Sequence, residues 1–396
     1  MKDKPTFSAS LLLALFSALA PTAGATTWYV NGVSGSDNSN CMSSPTACST
    51  IGHAISHASS GDTVMIAAAT YSENLTINSN INLKLTGSGA SSTIIDGGGN
   101  GRVISILNTK AVVGLSKVTI RNGVAAGGGG ILNWGTLTVT NSTVSRNVAG
   151  SESSAVGGGI YNSGTLTIAN STISGNSGTS NFMYGGAIFN SGPLTIINST
   201  LSGNTAYGYI GGGGGGIYNS SGSVTIINTT LSGNSAHASG GGGIFNQIGR
   251  VTINNATLSG NTAAGYKGGG IFVTKGATVI LQNSIVASSS TAGNCYGTLT
   301  SHGYNLSSDH TCNFHGSGDR NNIAARLGTL GSYGGPTQTI PLLSGGPAVD
   351  AGNPSGCTDG QGHLLKTDQR GQPRPDKEDQ PDKLGCDMGA YERQSD

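Results

Sequence analysis

The chain has 396 residues, of which 67 are glycine and only 9% are charged, and its formal net charge is +1. This composition excludes an α/β enzyme with a large aliphatic core, and the scattered basic residues form no dense patch for nucleic acid. Disorder of the usual kind needs high net charge or an aperiodic chain, whereas a clear period runs through the middle of this one. In chain order, Lys2 and Lys4 precede an apolar run from Leu11 to Ala20, and Ala23-Gly24-Ala25 offers a small-x-small cleavage site. Residues 1–25 are therefore expected to be a signal peptide, and the product to be secreted or at a cell surface. No later stretch is apolar for long enough to span a bilayer.

Residues 26–101 read as an N-terminal cap with the first coils of a repeat. Trp28-Tyr29-Val30 predicts a strand, and Ile51, Ala54, Ile55 and Ala58 fall on one face of a short helix that would cover an open end. His53 and His57 share the opposite face at a metal-capable spacing. With no third ligand evident they are read as solvated cap residues, and no metal is assigned.

From 102 to 294 one phrase returns: a Gly-rich turn with Ile-Tyr/Phe-Asn, then Leu-Thr-Ile, then Leu-Ser-Gly-Asn. Its first apolar position is Ile131, Ile160, Ile188, Ile217, Ile244 and Ile271, at steps of 27–29 residues. Six copies, each with three short β-prone segments and no helix-forming stretch, predict an all-β solenoid, a parallel β-helix. The crossover rule makes it right-handed. Equal positions of successive coils then lie about 4.8 Å apart, so Asn190, Asn219 and Asn246 should stack as an amide ladder. Asn141, Asn170, Asn198, Asn228 and Asn255 match glycosylation triplets, but their fixed place in the repeat favours a turn role.

Tyr161, Phe189, Tyr218, Phe245 and Phe272 each follow the repeat's Ile, so alternation places them on the outer face. Either they line the outside as a strip for a neutral or weakly acidic glycan, bound without salt dependence, or the Gly-rich loops fold over them. Residues 295–396 lose the repeat and regain charge, with 12 acidic and 8 basic residues from Asp309 onward, and read as a C-terminal cap. Six cysteines in an exported chain predict the local disulfides Cys41–Cys48, Cys295–Cys312 and Cys357–Cys386.

Gly185-Gly-Ala-Ile-Phe-Asn190 and its relatives resemble the repeats of polymorphic outer-membrane proteins and other bacterial β-helices of the pectin-lyase-like class. Trp28-Tyr29-Val30, Gly35-Ser36-Asp37 and Gly61-Asp62-Thr63-Val64 are similar to the opening segment of that class. Gly303-Tyr304-Asn305-Leu306, Gly334-Gly335-Pro336-Thr337, the segment from Pro347 to Gly352, Asp368-Gln369-Arg370-Gly371 and the segment from Cys386 to Glu392 together resemble the choice-of-anchor Q domain of bacterial surface proteins. The resemblance implies a surface β-helix, and the few residues after Glu392 favour release or non-covalent retention over covalent anchoring.

A glycosidase or calcium-dependent site within the repeats needs clustered carboxylates, yet Glu152 is the only acidic residue between Gly97 and Ser308. A polysaccharide lyase could use Lys117, Arg121 or Arg146, with Arg121 and Arg146 expected at equivalent places in adjacent coils. Asp309, Asp319 and Asn321 are the residues of the tail that could hold calcium, and no other cofactor is implied. The sequence favours a non-enzymatic β-helix that binds an extracellular glycan or surface macromolecule. The alternatives are a lyase acting on an acidic polysaccharide and an inert spacer.

Overall fold

A computed structural model describes residues 24–238, 240–265, 267–289, 293–375 and 385–394, so all but the last two residues of the expected signal peptide lie outside it. The fold is a right-handed parallel β-helix. In one coil the chain runs through Ile131–Asn133, Thr136–Thr140, Thr143–Ser145 and Val148–Gly150 before Ile160–Asn162 opens the next. These strands join sheets of nine, eleven, ten and seven strands respectively, here called the first to fourth sheets. The sequence predicted three strands per coil. The fourth sheet was missed because several of its members, such as Ser235–Ala236 and Thr262–Ala263, are only two residues long and carry no alternating apolar pattern.

Register follows the repeat. Ile131, Ile160, Ile188, Ile217, Ile244 and Ile271 pair in succession, as do Leu137, Leu166, Leu194, Val224, Val251 and Val279. Alternation turns these residues inward, where all are buried and form one continuous core. Two buried amide ladders run along the stack. Asn133, Asn162, Asn190, Asn219 and Asn246 form one, with Nδ2 donating to the next Oδ1 at 2.8–2.9 Å. Asn147, Asn176, Asn204, Asn234 and Asn261 form the other, at 2.8–3.0 Å. The triplet asparagines Asn141, Asn170, Asn198, Asn228 and Asn255 all have φ between +45° and +51°, a conformation Asn tolerates better than most residues. They shape the turn between the second and third sheets.

Helix Ile51–His57 packs Ile51 and Ala54 into the core at the N-terminal end. Thr50 caps it by accepting from His53 N–H, and the Glu73 carboxylate accepts from Ile51 N–H and Gly52 N–H at 2.8 Å each. At the other end Cys295–Tyr296, Thr300–Ser301 and Leu306–Ser307 add a last coil. Phe314, buried with Cys295 and Cys312, extends the core beyond it. The disulfides are Cys41–Cys48, Cys295–Cys312 and Cys357–Cys386, as the spacing predicts.

The rest of the tail is not stacked on that end. It returns as a strap along the flank: Gln369 donates to Thr200 Oγ1 and accepts from Thr230 Oγ1, while Thr257 Oγ1 accepts from Ala390 N–H. Asn255 and Asn283 donate to the carbonyls of Thr358 and Asp387. The strap therefore covers the outer face of the third sheet from Thr200 to Ile285 and leaves the earlier coils open. Met388, Leu342, Ala348 and Ala325 close over Ile285, Ala287 and Leu306 in a second core.

Candidate functional site

The outer face of the third sheet carries two columns of small polar residues. Thr119, Thr143 and Thr172 pair in register, followed by Thr200, Thr230 and Thr257. Arg121, Ser145 and Ser174 form the parallel column two residues on, continued by Ser202 and Ser232. Along the open part of this face lies a groove of about 370 Å³, lined among others by Ser91, Ile94, Thr119, Arg121, Ser145 and Arg146.

Arg121 is held by Asp96, its Nε 2.7 Å from Oδ2. Asp96 also accepts from Gly98 N–H and Asn122 Nδ2 at 2.9 Å each. Burial pushes the Asp96 carboxyl up, but these donors outweigh it and hold the group below its ordinary value, so it is ionised and engaged. Arg146 lies in the turn after the strand, with φ +56°, where the following coils place Gly175, Gly203, Gly233 and Gly260. A left-handed arginine is strained by about 1–2 kcal/mol.

The expectation that Arg121 and Arg146 stack at equivalent places does not hold. Arg121 pairs with Ser145, and Arg146 falls in the place of Asn122. Each arginine is followed by an asparagine, but Gly123 rather than Asn122 fills the ladder position opposite Asn147, whose Oδ1 accepts from Gly123 N–H, so the two arginines are one residue out of line. Both arginines nonetheless line the groove. Lys117, at φ +57° in the turn between the second and third sheets, is not among its lining residues.

The aromatic column lies on the outer face of the first sheet, as alternation requires, and one more ring joins it. Tyr161, Phe189, Tyr218, Phe245, Phe272 and Tyr296 stack with centroids 4.6–5.7 Å apart and planes within 8–15°. Their faces are therefore turned on one another. Leu132 precedes Tyr161 in register, and the Lys267 ammonium stands 4.7 Å from the centroid of Tyr296 at the other end. Tyr218 and Phe245 are buried, while Tyr161, Phe189 and Phe272 are half-buried. Glycine-rich segments lie along the ring edges: a Cβ at Gly213 would be 2.7 Å from Phe245 Cδ2, and one at Gly240 would be 2.3 Å from Phe272 Cδ2. A sugar needs a free ring face for stacking, so this column is better built to rigidify the first sheet than to hold one.

The residues considered for calcium serve separate turns. Asp309 accepts from Thr311 N–H and Asn294 N–H, Asp319 from Asn305 N–H and Gly316 N–H, and Asn321 from Phe314 N–H. The tail motifs converge in the strap. Asp368 pairs with Arg370 at 2.8 Å, whose guanidinium lies 3.5 Å over the Tyr391 ring, and Arg374 pairs with Glu392 at 2.7 Å. Arg374 also donates to Asn228 Oδ1 and the Gly389 carbonyl.

Sequence reasoning missed a cluster beyond the column. Between Ser180/Gly208 and Phe182/Gly211 the pairing of Ser177–Tyr184 with Thr205–Gly213 slips by one residue, and Tyr209 and Ile210 project at 67% and 66% exposure. The repeat spacing locates the extra residue, since Asn176 and Asn204 are 28 residues apart and Ile188 and Ile217 are 29, but it does not show which side chains the slip exposes.

No family model matches the chain, and neither does any curated protein. Among solved structures, pectate lyase Pel9A superposes with a TM-score of 0.57 at 14% identity, covering 94% of this chain and 98% of that one. The pectin methylesterase from carrot gives a TM-score of 0.33 at 13% identity, over 69% of this chain and 86% of that one. The first likeness establishes a β-helix of the pectin-lyase-like fold. Among the described residues no helix is long and apolar enough to cross a membrane.

Proposed function

We propose that the chain is a non-catalytic carbohydrate-binding β-helix, secreted or held at a cell surface, and that the open third-sheet groove takes an acidic glycan. The observation that carries this is the groove lined by Arg121, Arg146 and hydroxyl columns, on the only stretch of that face the strap leaves clear among the described residues. Guanidinium groups recognise carboxylates through paired N–H donors, and rows of Ser and Thr suit sugar hydroxyls. Asp96 holds Arg121 at a fixed height without cancelling Arg146. The lining reaches from Ala90 to Gly175, which spans four successive coils. At about 4.8 Å per coil that length fits about three sugar rings. Binding is expected to weaken with salt, unlike binding to a neutral strip.

Two features support binding over cleavage. A guanidinium keeps its proton under ordinary conditions and is a poor general base, and Lys117 does not line the groove. The carboxylate within reach, Asp96, already accepts three hydrogen bonds. Titration of uronate-containing oligosaccharides into the mature chain tests the reading. Arg121→Gln and Arg146→Gln should each weaken binding about tenfold without changing the fold. Equal affinity for neutral oligosaccharides of the same length would overturn it, and unsaturated uronate products in the same mixture would establish the lyase alternative.

A further inference from the structure

Three successive coils make a longer excursion between the fourth and first sheets than the coils that follow. Asn147 and Ile160 are 13 residues apart, Asn176 and Ile188 12, and Asn204 and Ile217 13, against 10 for Asn234 and Ile244. In these excursions the chain runs out and doubles back, and Ala149, Ala155, Met183 and Ala206 pack between the limbs as a small separate core. The third turns so tightly that a Cβ at Gly208 would meet the Gly211 carbonyl, and Tyr209 and Ile210 form its tip. Gly, Asn, Asp, Ser and Pro dominate tight turns, each for a conformational reason. A tyrosine and an isoleucine bring none of those advantages, yet both project far into solvent. The next coil is too short to cover them: its pairing with this excursion ends at Ala236, where His237 N–H donates to the Ala206 carbonyl.

The Tyr209 ring is oriented but uncovered. It meets Tyr207 at 5.1 Å between centroids and 76° between planes, and the His237 ring props Tyr207 in turn at 4.5 Å. At 67% exposure, and with no other ring against it among the described residues, Tyr209 keeps a ring face open to solvent. The column on the first sheet lacks that feature, because its rings face one another. Polar groups stand around the tip: Thr179 pairs with Tyr207, Asn181 lies opposite Tyr209 and Ile210 where the pairing slips, and His237 follows Tyr207. All three are exposed, and their side chains make no hydrogen bond among the described residues.

We propose that this tip is a second carbohydrate site, separate from the third-sheet groove, at which Tyr209 stacks on the apolar C–H face of an uncharged pyranose. Thr179, Asn181 and His237 supply donors and acceptors for the sugar hydroxyls. The charge of the surroundings selects a neutral ligand: the three excursions and the one after them hold no Lys or Arg to pair with a carboxylate. Their one acidic residue, Glu152, belongs to the first excursion, two coils from Tyr209.

Saturation-transfer NMR suits a weak site of this kind, with cellohexaose, xylohexaose and mannohexaose as neutral probes of the mature chain. At least one should bind, more weakly than uronate-containing oligosaccharides bind the groove, and added salt should leave its affinity unchanged. Tyr209→Phe keeps the ring and should bind as the wild type does, whereas Tyr209→Leu and Tyr209→Ala should weaken binding about tenfold. All three variants should unfold at the wild-type temperature, because the side chain is exposed at a tip. The two sites are separable in the same experiment. Arg121→Gln/Arg146→Gln should bind the neutral probe undiminished, and Tyr209→Ala should bind the acidic one undiminished. Neutral binding lost in the arginine variant but kept in Tyr209→Ala would put the neutral sugar in the groove and overturn the tip site. Binding by Tyr209→Leu equal to that of Tyr209→Phe would overturn ring stacking, and silence from all three probes would overturn the site itself. Concentration-dependent self-association that Tyr209→Ala/Ile210→Ser abolishes would make the tip a contact between copies of the chain instead.

Discussion

The third sheet has one sequence pattern and two fates. From Thr119 to Ser174 its Thr-x-Ser face is half-exposed and lines a groove, whereas from Thr200 to Thr257 the same threonines are buried under the strap and bonded to Gln369 and Ala390. The repeat thus makes a surface that suits hydroxyl partners of either origin, and the tail decides which coils present it. What distinguishes the open half chemically is Arg121 and Arg146, at places where the covered coils have Ser and Gly.

Ending the chain after Asn321 breaks the comparison most severely. It keeps the last coil and Phe314 but uncovers Ile285, Ala287 and Leu306 together with the threonine column. Aggregation is expected in size-exclusion chromatography, because apolar side chains and unpaired polar groups are exposed together. A soluble monomer with a longer acidic-glycan footprint would show instead that the strap merely masks a usable surface.

Replacing Arg374 by Met should be the largest single-residue effect. It removes at one stroke the donors to Glu392 Oε2, Asn228 Oδ1 and the Gly389 carbonyl, and each buried acceptor left without its partner costs about 1–3 kcal/mol. Limited proteolysis should then cut within the strap while the open coils stay protected. A smaller effect comes from pH. Burial pushes the Glu392 carboxyl up to about 8, with Asp387 adding to the rise and Arg374 opposing it. A carboxyl raised in the folded state stabilises fully below its unfolded value, and that contribution disappears as pH climbs through about 8. Hydrogen exchange in the strap should therefore loosen progressively between about pH 4.5 and about pH 8, beyond the intrinsic rate. The N-terminal closure should behave oppositely: hydrogen bonds from Ser59, Trp28 and Thr26 outweigh the burial of Asp62 and lower its pKa, so its contribution is lost only as pH falls into the acid range. The smallest expected effect is a gain. Arg146→Gly should stabilise the chain by about 1 kcal/mol in denaturant unfolding, by relieving a left-handed arginine, while weakening acidic-glycan binding.

The period made the core columns, the Asn190–Asn246 ladder and the outward direction of Tyr161 to Phe272 legible, since each follows from equal positions stacking and from alternation. The local disulfides were legible for the related reason that their cysteines flank the repeats. Alternation could not show that the rings face one another, because it fixes the side of the sheet and not the ring plane. The strap was illegible because its partners, such as Gln369 and Thr200, are 169 residues apart and share no pattern. The groove was half legible: its arginines were picked out by charge, but the one-residue offset between coils appears only in the pairing of Arg121 with Ser145.

The strap also imposes an order of events. Every ladder contact in the open coils joins residues 24–30 positions apart or so, as Asn147 does with Asn176, and can form as soon as one further coil has been made. The contacts of Thr200, Thr230 and Asn228 wait for residues 139–169 positions later. During synthesis the first coils can therefore zip progressively behind the growing end. The coils from Thr200 onward stay only half-covered until the last segment arrives. Folding should then show two phases, a fast one that reports the amide ladders and a slower, concentration-independent one that reports the burial of Arg374. Aggregation, if it competes, should do so in the interval between them, through the threonine face that the final segment has yet to cover.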